Sequence, residues 1–355
     1  MQFKRHPLSF YLPASKSTTA AIAATIIVFT IIAIAIYNKK PSEMKYTRTL
    51  MGTVVEITLV GSDDARLNAA AESAFDEIKR LEGLMSHYKD DSDVAKVNRA
   101  AGKEAITISK ETMDVIDASL KVSQITNGTF DVTMGVLGKV WHFTKDDKGE
   151  LTPPSAEEVK KLLPLIDYRQ IMIDKQNNTV KLAKQGMQIN LGGIAKGYII
   201  GKAAEVLKKN GIKKGIVHAG GDMVVFNEKD SPPWLIGIQT PRNKDKIIGT
   251  LKVSHAAIAT SGDYERFFIK DGTRYHHIMD PSTGFPANKC RGVTIVAKDS
   301  TLADALSTAV FVMGPDDGMK LIETLPDVDG LIIDTDGKIA VSSGLKEVYT
   351  PNTTQ

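Results

Sequence analysis

Residues 18–37 contain no charged side chain over 20 consecutive positions, and basic residues flank this run at Lys16, Lys39 and Lys40. A helix of about 20 apolar residues can cross a hydrocarbon core of ~30 Å, so the segment predicts a transmembrane helix. The alternative is a cleaved signal peptide, but its apolar region usually has only about 7–15 residues, which favours an anchor. We expect a basic tail over 1–17, an anchor over 18–37, a linker over 38–46 and an extracytoplasmic body.

The positive charge of the chain is concentrated before residue 46. The formal net charge is +3, but six basic side chains against Glu43 leave a surplus of +5 in the first 45 residues, so the remainder carries about −2. A nucleic-acid-binding protein needs a basic folded body rather than a basic tail. We therefore expect no nucleic-acid partner.

The cysteine content excludes several kinds of site. Cys290 is the only cysteine among 355 residues. A single cysteine cannot form an internal disulfide, a multi-cysteine zinc site or an iron–sulfur cluster, and its position rules out a lipid anchor near the N-terminus. The chain is long enough, at 42% hydrophobic composition, to bury a large core.

The hydrophobic pattern changes between strand and helix periods along the chain. Alternation over 47–60 predicts one or two strands broken near Met51, and Asp271-Gly272 and Asp336-Gly337 predict tight hairpins. Spacings of three and four predict helices over 62–85, 109–126, 194–209, 301–313 and 317–325. Strands joined by short turns predict an α+β fold with largely antiparallel sheets, in one two-lobed unit over 47–345 followed by a tail over 346–355.

The segment 190–198, with the sequence NLGGIAKGY, has the features of a phosphate site. It combines a strand end, a Gly-Gly turn and a helix start with Lys196 in the first turn. Free N–H groups at a helix N-terminus and a nearby ammonium favour a diphosphate. The segment matches neither common nucleotide-binding motif, and a Gly-Gly turn at this place can be purely structural, so both interpretations stay open.

The segment 299–308, with the sequence DSTLADALST, predicts a cation site. Asp304, Ser307 and Thr308 share one helix face because positions three and four apart align. With a backbone carbonyl, waters and substrate phosphates, a carboxylate and a hydroxyl suit Mg²⁺. The alternative is an acidic residue in a first turn that only stabilises the helix dipole, by ~0.3–1 kcal/mol.

Two adjacent histidines, His276 and His277, precede a turn with the sequence DPSTG. A neutral imidazole can accept the proton of an attacking hydroxyl near physiological pH, so one of them is a candidate general base. A structural histidine pair is the alternative. Signatures of zinc proteolysis, α/β-hydrolase chemistry and dithiol redox chemistry do not occur in the sequence.

Taken together, eight short segments resemble, in order, the FAD:protein FMN transferase (ApbE) family. The resemblance runs from about residue 47 to 344. The segments are 51–53 (MGT), 85–88 (MSHY), 128–131 (GTFD), 190–198, 219–222 (AGGD), 259–262 (ATSG), 277–284 (HIMDPSTG) and 303–308 (ADALST).

The resemblance implies a set of site residues. It implies a catalytic role for His277 and magnesium binding by the Gly193 carbonyl, Asp304 and Thr308. It implies FAD contacts from Met51, Tyr88, Thr129, Phe130, Asp131, Asn190, Lys196 and Met279. Asn190 occupies a position that is often Asp in the family, and Ser307 one where some relatives carry a carboxylate.

The resemblance also implies the reaction. We expect a Mg²⁺-dependent transfer of the FMN half of FAD to a Thr or Ser hydroxyl of an acceptor protein, with release of AMP. Family acceptors carry a segment similar to Ser-Gly-Ala-Thr, which this chain lacks, so the acceptor is expected in trans, in a flavoprotein or membrane redox complex. The alternatives are an FAD pyrophosphatase that uses water as acceptor and a non-catalytic, membrane-tethered flavin-binding protein.

Overall fold

The computed structural model describes residues 40–143 and 151–352, together with residues 21 and 24–27. Fifteen of the 20 residues of the predicted anchor over 18–37 lie outside the described residues, as do residues 144–150. Within the described residues, no helix is both long enough and apolar enough to cross a membrane. The anchor therefore stays a prediction.

Residues 40–143 and 151–352 contain sixteen strands and seven α-helices. The strands are β1 Ser42–Leu50, β2 Thr53–Gly61, β3 Ile106–Thr107, β4 Ile171–Asp174, β5 Thr179–Leu182, β6 Lys214–Ala219, β7 Asp222–Phe226, β8 Trp234–Thr240, β9 Asn243–Val253, β10 Ala256–Gly262, β11 Phe267–Lys270, β12 Thr273–His276, β13 Cys290–Ala297, β14 Val328–Asp334, β15 Ile339–Val341 and β16 Tyr349–Pro351. The helices are α1 Asp64–Met85, α2 Asp93–Arg99, α3 Lys110–Ile125, α4 Ala156–Leu162, α5 Ala195–Lys209, α6 Ser300–Met313 and α7 Pro315–Thr324. Short 3₁₀ helices occur at Gly135–Lys139, Leu163–Leu165, Tyr168–Gln170 and Gly344–Glu347.

One eight-stranded sheet organises the fold. Its order is β1-β2-β6-β7-β10-β13-β14-β15, and every neighbouring pair is antiparallel. Three smaller antiparallel sheets, β16-β9-β8, β3-β5-β4 and β11-β12, accompany it. The predicted α+β fold with largely antiparallel sheets is confirmed.

The two faces of the main sheet pack on different layers because side chains alternate along each strand. On β10, Ala257 and Ala259 belong to the large core shared with α1, α3, α5 and α6. Ile258 points the other way, into a second core formed with β8 and β9. A third, smaller cluster surrounds Trp141, whose indole N–H donates to the Gly284 carbonyl at 2.9 Å. The cores follow layers on one sheet, and the two-lobed part of the prediction stays a prediction.

Two tight hairpins bring backbone turns to the same end of the main sheet. Met51 and Gly52 join β1 to β2 with φ of 53° and 67°, and Gly220 and Gly221 join β6 to β7 with φ of 54° and 96°. Two successive positive φ angles are the hairpin geometry that matches the twist of the flanking strands. A methionine in this conformation is uncommon, and such strain often accompanies a functional site.

Both predicted boundaries of the folded body need correction. Residues 42–46, predicted as linker, form the first half of β1 because each of them pairs with a residue of β2. The predicted tail over 346–355 begins inside a 3₁₀ helix and contains β16, which pairs with β9. Tyr349 lies against Gly249, where even a methyl group would clash with its ring. Long-range pairing decides both boundaries, and short-range periodicity does not report it.

Candidate active site

The candidate site lies where α5 and α6 begin, at the end of the sheet that carries the two hairpin turns. The helices approach closely because Gly197 has no side chain. A methyl group there would lie 2.1 Å from the Ser300 carbonyl oxygen and 2.7 Å from Asp304 Cβ. The Gly197 N–H also donates to Asp304 Oδ2 at 2.8 Å. This crossing fixes the predicted phosphate segment against the predicted cation segment.

Lys196, Asp222 and Asp304 form a charged cluster at this crossing. Lys196 makes an ion pair with Asp222, the first residue after the β6–β7 turn. The carboxylates of Asp222 and Asp304 are 2% and 3% exposed. Burial alone would lower the pKa of Lys196, but the Asp222 and Asp304 charges outweigh burial and raise it. The pKa of Asp304 is raised by burial and then by Asp222, which Lys196 offsets only in part.

The cluster is therefore short of positive charge. With both carboxylates ionised, two buried negative charges face one ammonium, and buried charges need compensation. The second oxygen of Asp304 accepts no hydrogen bond from the described residues. When it is ionised, Asp304 thus has the charge and the oxygen lone pairs that a bound cation would satisfy.

The other predicted metal ligands lie beside Asp304. A methyl group on Gly193 would be 3.5 Å from Thr308 Oγ1, so this backbone and that hydroxyl are neighbours. Thr308 Oγ1 lies 3.3 Å from Ser261 Oγ, which is also 2.8 Å from Ser307 Oγ. No group of three or more His, Cys, Asp or Glu suited to a metal occurs among the described residues. The donors present are a carboxylate, a hydroxyl and backbone, and this hard-oxygen set fits Mg²⁺ rather than a softer metal.

The two adjacent histidines have different surroundings. His276 is buried, where its Nε2 lies 2.8 Å from the Ala287 carbonyl and its Nδ1 accepts from the Ile278 N–H at 3.3 Å. His277 is exposed at the surface of the site. Desolvation by the surrounding protein, and then the Arg266 guanidinium, lower the pKa of His277. Its ring therefore stays neutral at lower pH than an ordinary histidine. Of the pair, His276 is held by backbone hydrogen bonds and His277 has the accessible imidazole, and its role as a base stays a prediction.

Arg266 is a site residue that the sequence did not single out. Its carbonyl accepts the His277 N–H at 3.1 Å, and its Nη2 would lie 3.5 Å from a methyl group on Gly52. Its positive charge lowers the pKa of His277, and it lowers that of His87 after burial has done so. Arg266 is exposed, so it adds an accessible cation between the Met51 turn and His277.

Tyr88 is the most exposed of the predicted FAD ligands. Tyr88 is 80% exposed, and its ring contacts the His87 ring in a tilted arrangement, with 3.9 Å between ring centroids and 39° between ring planes. His87, Arg266 and the Met51 turn therefore bring this loop to the edge of the site. An exposed aromatic face can receive a planar ring system.

Asp131 and Asn190 make local hydrogen bonds instead of standing free. Asp131 is buried, and it accepts from the Thr133 N–H and hydroxyl at 2.8 and 2.6 Å and from the Tyr168 N–H at 2.8 Å. Asn190 Oδ1 accepts from the Gly192 N–H at 2.8 Å, which shapes the Gly-Gly turn. In this arrangement both side chains hold the loops that form the site, and direct contact with FAD stays a prediction.

The remaining predicted residues line the same region. The Phe130 ring would lie 3.4 Å from a methyl group on Gly193, so it packs under the turn. Thr129 directly precedes Phe130, and its hydroxyl donates to the Thr126 carbonyl at 3.0 Å. Met279 is buried in the cluster around Trp141, two residues after His277. Asp222, like Arg266, was given no role from the sequence, although the segment AGGD at 219–222 marked its position.

The fold and these groups define an α+β protein in which an accessible imidazole lies beside a buried cluster of two carboxylates and one ammonium. The family model described as the ApbE family matches residues 51–332. The chain belongs to the ApbE family.

Relatives agree with this membership over nearly their whole lengths. The chain is 32% identical over 320 residues to the FAD:protein FMN transferase of Treponema pallidum, covering 85% of this chain and 88% of the relative. It is 30% identical over 308 residues to the enzyme of the same name from Klebsiella pneumoniae, covering 86% and 94%. The crystal structure of the ApbE protein from Thermotoga maritima superposes with a TM-score of 0.80 at 36% identity, covering 86% of this chain and 99% of that one.

Proposed function

We propose that this protein is a Mg²⁺-dependent FAD:protein FMN transferase that attaches FMN to a Thr or Ser hydroxyl of another protein and releases AMP. The observation that carries the proposal is an accessible, neutral His277 beside the cluster of Lys196, Asp222 and Asp304. The names of the relatives from Treponema pallidum and Klebsiella pneumoniae support the same reaction.

The diphosphate of FAD is placed at the start of α5. The Gly192-Gly193 turn lets the backbone approach closely, and the helix N-terminus favours an anion. Lys196, held by Asp222, contributes positive charge from the first turn of the same helix. The rest of FAD is bound and oriented by two groups of residues. The contacts come from Met51, Tyr88, Phe130 and Met279, and the Thr129–Asp131 loop and Asn190 lie behind them.

The Gly193 carbonyl, Asp304 and Thr308 would hold Mg²⁺. Bound there, the ion would neutralise charge on the diphosphate oxygens, which is the main demand of phosphoryl transfer. The chain contributes the placement: the Gly197 N–H keeps one oxygen of Asp304 in position, and the other faces away from that bond. Ser261 and Ser307 support Thr308 through a chain of hydroxyl contacts.

His277 accepts the proton of the acceptor hydroxyl. The hydroxyl oxygen then forms a bond to the phosphorus on the FMN side, while the bond from that phosphorus to the bridging oxygen breaks and AMP leaves with that oxygen. A positioned general base contributes typically 10²–10⁴-fold. Because its pKa is lowered, His277 is neutral and ready to accept a proton at neutral pH.

The proposal includes a membrane anchor over 18–37 with the catalytic body, residues 42–352, on the extracytoplasmic side. β1 begins at Ser42, and its other end at Leu50 meets the Met51 turn of the site. A nine-residue strand is about 30 Å long. The Met51 turn would then lie one strand length from the start of the body, and the acceptor would be a protein or membrane redox-complex subunit modified in trans.

A labelling assay tests the proposal. The soluble body is incubated with FAD, Mg²⁺ and a carrier protein that bears a Ser-Gly-Ala-Thr segment, and the denatured carrier is inspected for flavin fluorescence. We expect a fluorescent band that chelator and His277→Gln abolish, while His255→Gln, an exposed histidine at the far end of β10, keeps full activity. Free FMN without a labelled carrier would indicate a pyrophosphatase, and FAD binding without turnover would indicate a non-catalytic flavin-binding protein.

A further inference from the structure

A polar pocket, separate from the side chains of the candidate active site, is formed by residues that adjoin that site in sequence. It has a volume of about 260 Å³, and its wall includes Arg242, Asp263, Arg274, His276, Arg291 and Thr335. None of these residues has a role in the reaction proposed above. Three guanidinium groups around one cavity are unusual, because like charges repel unless an anion lies between them.

One of the three arginines is already neutralised. Arg242 donates to both oxygens of Asp263 at 2.6 Å each, in the two-pronged geometry that suits a carboxylate. The Asp263 side chain is only 9% exposed. This pair therefore contributes no net charge to the pocket.

The other two arginines have no carboxylate partner among the described residues. Arg274 lies over the Phe267 ring at 3.7 Å and makes only a long contact of 3.4 Å with the Asp263 carbonyl. Arg291 donates to the Thr335 carbonyl. The pKa of Arg274 is lowered by burial, with a further contribution from Arg242 that the Asp263 charge opposes. Two guanidinium groups thus retain donors and charge at this cavity.

Two of the neighbouring titratable groups, His276 and Cys290, supply no negative charge, and a third, Asp334, is engaged within its own turn. His276 is neutral, since its Nδ1 accepts a backbone N–H. Burial raises the pKa of the Cys290 thiol to about 12, so it stays protonated. Asp334 is close to Cys290, but one of its oxygens accepts the N–H groups of Asp336 and Lys338 within the β14–β15 turn.

We infer that this pocket binds an oxyanion, a phosphate or carboxylate group carried by one of the two substrates of the adjoining site. Asp263 follows Ser261 by two residues, and His276 immediately precedes His277, so two short stretches of backbone connect the pocket to the active site. Two residues along a strand span about 7 Å, which one extended substrate can cover. A phosphate of the nucleotide and an acidic side chain of the acceptor have the same oxyanion chemistry.

Direct binding of inorganic phosphate tests the pocket independently of any transfer reaction. Titration calorimetry at low salt, without FAD or Mg²⁺, compares the wild-type protein with Arg274→Gln/Arg291→Gln and with Arg169→Gln, an exposed control. We expect phosphate to bind at least tenfold more weakly to the double variant and unchanged to the control. Equal affinity of the double variant and the wild type would overturn the inference, because phosphate would then bind only elsewhere.

Steady-state kinetics then separates the two sources of the oxyanion, and this arm rests on the proposed function. In Arg274→Gln, a tenfold rise in KM for FAD with kcat unchanged assigns the pocket to a nucleotide phosphate. The same rise in KM for the carrier protein assigns it to an acceptor carboxylate. If neither KM changes, the pocket does not serve a substrate and the inference fails. Absence of transfer by the wild type would refute the proposed function and leave the calorimetric result readable.

Discussion

Replacing Gly197 with alanine tests whether the crossing of α5 and α6 holds the site together. The added methyl group would lie 2.1 Å from the Ser300 carbonyl oxygen. Backbone cannot rotate out of the way, so the helices must separate by about 1 Å or more before the contact becomes acceptable. Gly201→Ala is the matched comparison on the same helix, since its closest neighbour is the Ser300 hydroxyl, which can rotate away.

The size of the effect follows from three contributions. Overpacking of this kind costs about 1–3 kcal/mol. The hydrogen bond from the Gly197 N–H to the Asp304 carboxylate is worth about 1.5–3 kcal/mol, and it weakens as the helices part. The better helix propensity of alanine returns about 1 kcal/mol. We expect Gly197→Ala to lower the free energy of unfolding by about 2–4 kcal/mol.

Urea denaturation followed by far-UV circular dichroism measures this change. Gly83→Ala is the control, because no atom lies within 4 Å of its added methyl group and alanine should stabilise that helix by about 1 kcal/mol. Gly201→Ala should fall between the two variants. Flavin transfer by Gly197→Ala should fall together with its stability. If Gly197→Ala had the same midpoint urea concentration of unfolding as the wild type, α5 and α6 could not cross as closely as described.

Three further predictions concern the chemistry. Because the pKa of His277 is lowered, its ring stays neutral as the pH falls, and the acid limb of the pH profile of kcat should lie below pH 6.5. The substitution His277→Gln should lower kcat by about 10²–10⁴-fold. An acid limb above pH 7 in the wild type would contradict the role of His277 as the base. The substitution Asp304→Asn should raise the Mg²⁺ concentration that gives half-maximal activity by about tenfold or more. Metal titration measures this change, with Asp317→Asn as the control because the Asp317 side chain is 66% exposed. An unchanged titration would exclude Asp304 as a ligand. Arg266→Gln should raise the Kd for FAD, measured by fluorescence titration, by about tenfold relative to Arg169→Gln, because it removes an accessible cation; equal affinities would remove Arg266 from the site.

Local signals in the sequence predicted the elements that position the site. The strand break near Met51, the helix over 109–126 and the helix after the Gly-Gly turn all depend on residues close in sequence. The shared face of Asp304 and Thr308 follows from helix geometry alone.

Features set by distant pairing could not be predicted in this way. The ion pair of Lys196 with Asp222 joins residues 26 positions apart, and the strand residues 42–46 and 349–351 depend on partners elsewhere in the chain. The two adjacent histidines look equivalent in sequence, and only the packing of His276 against Ala287 separates them. Arg266 carries no local motif, so its place beside His277 emerges only from the fold.

The most direct test of the central claim is the mass of the acceptor after reaction. The soluble body is incubated with FAD, Mg²⁺ and the carrier protein, and intact-mass spectrometry of the carrier is combined with quantification of AMP. We expect the carrier to gain the mass of one FMN less one water, attached at the Thr of the Ser-Gly-Ala-Thr segment. One AMP should be released for each modified carrier. An unmodified carrier accompanied by free FMN and AMP would contradict it, because water rather than a protein hydroxyl would then be the acceptor.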